Sequence, residues 1–88
     1  MDYKILQAVY RIAQMELRFE LLQKYAKENR SAMHESAMFT ELLQELTAYY
    51  EGGQWLRDYE LDEMGLLPQG LKRGVLSQDA VYDFLEQK

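Results

Sequence analysis

An all-α fold is predicted for this chain of 88 residues by three observations. Apolar residues in the first 50 positions recur at alternating spacings of three and four, the period of amphipathic helices. Those positions contain no glycine or proline, whereas all five glycines and the only proline fall between Gly52 and Gly74, which indicates short helices joined by turns. We therefore expect a single domain over 1–88, in which a long antiparallel helical hairpin (1–51) carries a two-helix C-terminal module (52–88).

The first helix is predicted from Asp2 to about Asn29. Its apolar stripe consists of Ile5, Ala8, Ile12, Met15, Phe19, Leu22 and Ala26. The periodicity is interrupted at residues 29–31, where Ser31 is expected to cap a second helix that ends at Gly52-Gly53. One continuous helix through 29–31 is the alternative.

The C-terminal module is predicted to contain two helices and an ordered loop. A third helix runs from Gln54 to Met64 and is ended by Gly65. Its apolar side is formed by Trp55, Leu56 and Tyr59, and its charged side by Asp58, Asp62 and Glu63. In the loop over 65–76, Pro68 suits the second position of a turn. A fourth helix starts at Ser77, which caps it, and buries Val81, Phe84 and Leu85.

Composition and charge exclude several classes of function. The net charge is −5, most of it within residues 51–88, so that the chain lacks the basic face with which proteins bind nucleic acids. No apolar run approaches a membrane span or a signal peptide, and we therefore expect a cytoplasmic protein without membrane contact. Without cysteines, the chain has neither disulfides nor a cysteine zinc site to stabilise its small core.

The sequence from Tyr49 onward resembles the C-terminal signature of a small bacterial family, domain of unknown function 4298. The matching positions are Tyr49-Tyr50, Trp55, Asp58, Asp62-Glu63, Gly65, Leu67-Pro68, the run Leu71 to Ser77, Asp79, Tyr82-Asp83 and Leu85. Gly70 departs from the pattern, which has a more polar residue there. The resemblance implies a soluble, helical bacterial protein, and it implies no activity, cofactor or catalytic residue.

Acidic residues are the strongest candidates for chemistry. Asp58 and Asp62 lie four residues apart on the third helix, and Asp79 and Asp83 do so on the fourth. Paired carboxylates on facing helices are typical of Mg²⁺ sites in all-helical phosphohydrolases. No lysine accompanies these pairs, however, so that solvated faces or salt bridges are the simpler interpretation. His34, the only histidine, has no neighbours with which it could form a catalytic triad.

Two further groups have both a structural and a functional interpretation. Lys72 and Arg73 precede a helix start and could hold an anion, but ion pairs with the acids of the third helix are the simpler expectation. The rings of Tyr49, Tyr50, Trp55, Tyr59 and Tyr82 are expected to form the seam between the module and the hairpin; alternatively, they bind a partner.

We therefore expect a non-enzymatic protein-interaction or scaffold domain without cofactor, metal or catalytic residue. Its candidate interaction residues are Trp55, Asp58, Tyr59, Asp62, Glu63, Lys72, Arg73, Asp79 and Tyr82. The alternative is a small metal- or phosphate-dependent enzyme that uses the acids together with Lys72-Arg73. Because the helical stripes are broader than two helices can cover, the chain is expected to form a homo-oligomer, as an antiparallel dimer with a four-helix bundle, and it could also bind another protein.

Overall fold

The structure, a computed structural model, describes residues 2–28 and 36–86. Its elements are α1 (Tyr3–Glu28), α2 (Ala37–Glu51), α3 (Gln54–Glu63), a 3₁₀ turn (Gly74–Leu76) and α4 (Gln78–Glu86). The described residues contain no β-strand, so the predicted all-α class is confirmed. In these ranges, no helix has the length and apolar character needed to cross a membrane. The predicted break at 29–31 and His34 lie outside the described residues.

Helix α1 buries the stripe that its periodicity predicts. Ala8, Ile12, Phe19 and Leu22 are almost fully buried, and Ile5, Met15 and Ala26 pack partly buried beside them. This inner side of α1 lies against α2 and against the 3₁₀ turn of the C-terminal module. Helix α1 is therefore the element on which α2 and the 3₁₀ turn pack, while α3 packs on α2 and on the turn, and α4 on the turn.

Helix α2 begins at Ala37, later than the sequence indicated. Its N-cap is Ser36, whose Oγ accepts a hydrogen bond from the backbone N–H of Phe39 at 3.1 Å. Ser36 has extended backbone angles, φ −82° and ψ 124°, so α2 does not continue α1 as one helix. The predicted cap, Ser31, lies outside the described residues. The helix ends at Glu51, as predicted, and the following Gly53 takes a left-handed φ of 94°.

The C-terminal module contains the predicted pair of helices and a loop that packs against the core. Helix α3 ends before Gly65, which has a left-handed φ of 72°. In the loop that follows, Leu71 N–H donates to the Pro68 carbonyl at 3.3 Å, which places the proline first in the turn rather than second as predicted. Ser77 caps α4 through its Oγ, which accepts from the Ala80 N–H at 3.4 Å.

One core joins the module to the long helices. The Trp55 indole N–H donates to the Val75 carbonyl at 2.8 Å, and both residues are buried. Phe84 of α4, half-buried, meets Phe19 of α1 edge to face, with ring centroids 5.7 Å apart. The prediction for α3 was wrong at Leu56, which is 53 % exposed, because the inner side of that helix is occupied by Trp55 and by Asp58, one turn later.

Candidate functional site

The residue one turn after Trp55 is Asp58, whose carboxylate is fully buried. Arg11 of α1 binds it with two donors: Nε reaches Oδ2 at 2.9 Å, and Nη2 reaches Oδ1 at 2.5 Å. The buried Tyr49 hydroxyl of α2 donates to the same Oδ2 at 2.7 Å. Asp58 therefore joins three helices. Of the two expectations for the acids of α3, a solvated face or a salt bridge, the salt bridge is present for Asp58, and its partner is Arg11 of α1 rather than Lys72 or Arg73. A forked arginine can neutralise a carboxylate that burial would otherwise make unfavourable.

The network also changes the pKa values of its members. Burial, together with the hydrogen bond to Asp58, raises the pKa of Tyr49 far above that of a free phenol. The same carboxylate raises the pKa of Arg11. Tyr49 therefore stays protonated and Arg11 stays charged, which suits a permanent structural contact.

A second buried carboxylate, Glu16 on α1, was missed by the sequence analysis. Its Oε1 accepts a hydrogen bond from the backbone N–H of Val75 at 2.7 Å. Burial raises the pKa of Glu16, the Val75 N–H opposes the shift, and a hydrogen bond with Glu20 adds to it. A Cβ added at Gly74 would lie 2.9 Å from Glu16 Oε2, so a glycine there leaves room for the carboxylate. The signal in the sequence was the position of Glu16, one turn after Ile12 and directly after Met15, both of which belong to the buried stripe.

The side chain of Arg73 links its own loop, residues 65–76, to α3. Its Nε donates to Asp62 Oδ1 at 2.7 Å, and its terminal nitrogens donate to the carbonyls of Pro68 at 2.7 Å and Leu71 at 2.8 Å. The expected ion pair between the loop and α3 is thus present for Arg73. Lys72 differs from that expectation: its ammonium lies 3.6 Å from Glu20 of α1, and its side chain is 78 % exposed. Arginine has the several donors that a loop of carbonyls requires, and lysine can extend to the surface.

Three members of the aromatic group form a continuous run of ring contacts. Trp55 lies between Tyr50 and Tyr59, with both pairs of ring centroids 5.1 Å apart. Trp55 is buried and belongs to the interior, while Tyr59 is partly exposed and Tyr82 is 52 % exposed. Hydrogen bonds with Glu63 and Glu86 raise the pKa values of Tyr59 and Tyr82, respectively. The seam interpretation thus fits Trp55 and its two ring neighbours.

The remaining acidic candidates lie at the surface. Glu63, Asp79 and Asp83 are exposed. Within residues 2–28 and 36–86, no three acidic or histidine side chains converge as metal ligands. The acids that do lie inward, Asp58 and Asp62, are already bound by guanidinium groups.

Helix α1 has a second apolar stripe on the side opposite its buried one, which was not among the features predicted from the sequence. We call it the outer stripe, and it consists of Tyr3, Leu6, Tyr10, Ala13, Leu17 and Leu21. All six are exposed; the fraction is 70 % for Tyr3 and 68 % for Tyr10. An open groove lies among Tyr3, Leu6, Gln7, Tyr10 and Arg11. The spacings of three and four that identify the stripe were visible in the sequence.

A family model described as Domain of unknown function (DUF4298) matches residues 12–88. The chain belongs to this family. No curated protein and no solved structure matches the chain. The resemblance seen in the sequence is thereby confirmed. The DUF4298 match includes Glu16, Asp58, Asp62 and Arg73, whereas Arg11 and the first half of the outer stripe lie before it.

Proposed function

We propose that this DUF4298 chain is a non-enzymatic protein-interaction or scaffold domain of the bacterial cytoplasm, and that it acts through the outer stripe of α1. The observation that carries the proposal is a helix with apolar residues on two opposite sides, of which residues 2–28 and 36–86 cover only one. Large apolar side chains such as Tyr3, Leu6 and Tyr10 are more than half exposed. Exposed apolar groups arranged as one patch are typical of protein-binding surfaces.

The way in which α1 is held supports this role. Its inner side is fixed at successive turns by charged contacts: Arg11 to Asp58, Glu16 to the Val75 N–H, and Arg18 to Glu45 on α2. A helix held in this way is already ordered before a partner binds to its other side. Preorganisation of that kind lowers the entropic cost of association.

The acidic groups support the non-enzymatic part of the proposal. Both oxygens of Asp58 accept hydrogen bonds from within the chain, and Oδ1 of Asp62 is bound by Arg73. A carboxylate that acts as a metal ligand or general base needs its lone pairs directed at the ligand or substrate. In this structure, they are directed at arginine and tyrosine.

Affinity capture from the native cell tests the proposal. The bait is the full chain in three forms: wild type, Leu6→Glu with Leu17→Glu, and a control in which the exposed Gln44 of α2 becomes Glu. We expect proteins recovered with wild type and with Gln44→Glu to be lost with the double variant, because charges on the stripe must be desolvated in any complex. Equal recovery with all three baits would contradict the assignment to this stripe.

A thermal-shift panel of Mg²⁺, Mn²⁺ and nucleotides tests the non-enzymatic part. A ligand at a hundredfold excess over its Kd stabilises a protein by about 2.7 kcal/mol, which such a panel detects readily. We expect no shift. A shift that disappears in Asp62→Asn would overturn the non-enzymatic assignment. Fractionation of the native cell checks the compartment, with recovery in the cytoplasmic fraction as the expected result.

A further inference from the structure

We infer that the partner of the outer stripe is the same stripe of a second copy of this chain, bound antiparallel about a two-fold axis. The inference rests on the proposed function, since it names the occupant of the same surface. In the expected pairing, Tyr10 packs against Ala13 of the second copy and Leu6 against Leu17. Tyr3 then packs against Leu21 at each end.

The spacing of the stripe is the first argument for a second copy. A two-fold interface requires that the patch be complementary to itself when reversed. The midpoint in residue number is the same for Tyr10 with Ala13 and for Leu6 with Leu17, and it lies between Arg11 and Ile12. For Tyr3 with Leu21, the midpoint lies within half a residue of that point. Reversal of the helix therefore superposes apolar residues on apolar residues over the whole stripe.

The sizes of the paired side chains also fit. The most exposed central ring, Tyr10, is opposite the small Ala13, whereas Leu6 and Leu17 are of equal size. Facing helices pack closely when large residues are opposite small ones, as the knobs of one helix fill the holes of the other. A parallel pair would instead place Tyr10 against Tyr10 and Ala13 against Ala13, which leaves one layer crowded and the other empty.

The polar residues beside the stripe also fit a second copy. Gln7 and Gln14 border it along one side. An amide is both donor and acceptor, and so Gln7 of one copy can pair with Gln14 of the other. At the two ends, Asp2 and Lys24 are exposed and of opposite sign. An antiparallel pair brings them to the same end, whereas a parallel pair would bring like charges together.

The area available is adequate for a stable pair. With half to two-thirds of each side chain exposed, the five large residues of the stripe present on the order of 500 Å² of apolar surface, at the upper end for one patch on a monomer. A standard interface buries about 800 Å² per partner, and flanking polar atoms along roughly 27 Å of helix supply the difference.

Light scattering gives the first test. At high micromolar concentration, we expect wild type to approach twice its monomer mass of 10.5 kDa. Leu17→Glu should return to the monomer mass, because the charge would face Leu6 of the second copy. The control is Met38→Glu, at a position on α2 that is 70 % exposed, and it should remain dimeric. A wild type that stays at the monomer mass overturns the inference.

Engineered cysteines test the orientation, since the chain has none of its own. In the antiparallel pair, two copies of Leu6→Cys hold their thiols about 16 Å apart along the helix, beyond the roughly 7 Å limit between Cα atoms in a disulfide. Leu6→Cys mixed with Leu17→Cys should therefore crosslink under mild oxidation, and neither variant should crosslink alone. Met38→Cys measures the rate of random collision. Crosslinking of each single variant as fast as the mixture overturns the antiparallel arrangement.

The two proposals fail in different ways. If wild type is monomeric but the Leu6→Glu, Leu17→Glu bait still loses captured proteins, the interaction role stands and the second copy is the wrong occupant. If wild type is monomeric and the baits recover the same proteins, the outer stripe is no interface and both proposals fall.

Discussion

Removal of the buried carboxylate of Asp58 is the most direct perturbation of this fold. In Asp58→Ala, the Tyr49 hydroxyl stays buried without its acceptor, which costs about 1–3 kcal/mol. The Arg11 guanidinium loses both of its hydrogen bonds as well, but its side chain is 28 % exposed and regains some water. We therefore expect a total loss of about 3–4 kcal/mol, near the lower end of the range for a broken buried ion pair.

Trp55 makes the measurement convenient. It is the only tryptophan, it is buried, and it lies one turn before Asp58 on the same helix. Urea unfolding followed by its fluorescence and by far-ultraviolet circular dichroism gives the free energy of unfolding. A domain of this length has roughly 4–13 kcal/mol in total, so Asp58→Ala removes a large fraction. All variants should be compared at one low protein concentration, because self-association adds stability by mass action.

Two further variants separate charge from shape. Asp58→Asn keeps an acceptor for Tyr49 but turns amide protons toward Arg11, and should cost about 2 kcal/mol. Combined with Arg11→Met, it should cost clearly less than the sum of the single losses, because residues in one network are coupled. The control, Asp83→Ala on the surface of α4, should stay within about 0.5 kcal/mol of wild type. A loss below about 1 kcal/mol for Asp58→Ala, or additive single losses in the cycle, would refute the reasoning.

Three more predictions concern stability. Burial raises the pKa of Glu16 above 4.5, so ionisation of this carboxyl opposes folding. In urea titrations, wild type should therefore gain stability relative to Glu16→Gln as the pH falls from 7 toward 4.5. A difference in the free energy of unfolding that stays constant with pH would contradict this. Arg73→Lys should lower the free energy of unfolding by about 1.5–3 kcal/mol because contacts with the loop carbonyls are lost, whereas Lys72→Ala should be near neutral. Equal melting temperatures for the two variants would argue against a stabilising role of the contacts between Arg73 and the carbonyls. Gly53→Ala should lower the free energy of unfolding by about 1–2 kcal/mol, because Gly53 has a left-handed backbone, and Gly70→Ala should change it very little. Thermal unfolding of both variants measures the difference.

Much of the fold could be predicted from local sequence signals. The buried stripe of α1 repeats regularly, Gly53 and Gly65 mark helix ends, and Ser77 caps α4. These signals act within a few residues of chain, where spacing and conformational preference decide the outcome. The N-cap of α2 shows the limit of that approach, because Ser36 caps the helix and local sequence rules do not rank one serine above another as a cap.

The buried charges could not be predicted in the same way. Asp58 and its partner Arg11 are 47 residues apart, and Glu16 and Val75 are 59 apart. An acid among other acids on a short helix is most often solvated, and no local rule shows that an arginine will reach it. The phase of α3 did contain a hint, since Asp58 follows Trp55 by three residues and so shares its inner side.

The contact between Glu16 and Val75 also has a consequence for biosynthesis. Helix α1 leaves the ribosome before the C-terminal module, and the backbone N–H that satisfies its buried carboxylate is translated 59 residues later. At synthesis rates of about 5–20 residues per second, α1 waits roughly 3–12 seconds with its inner side incomplete. During that interval, both apolar sides of the nascent helix are accessible, and transiently exposed apolar surface of this kind favours aggregation.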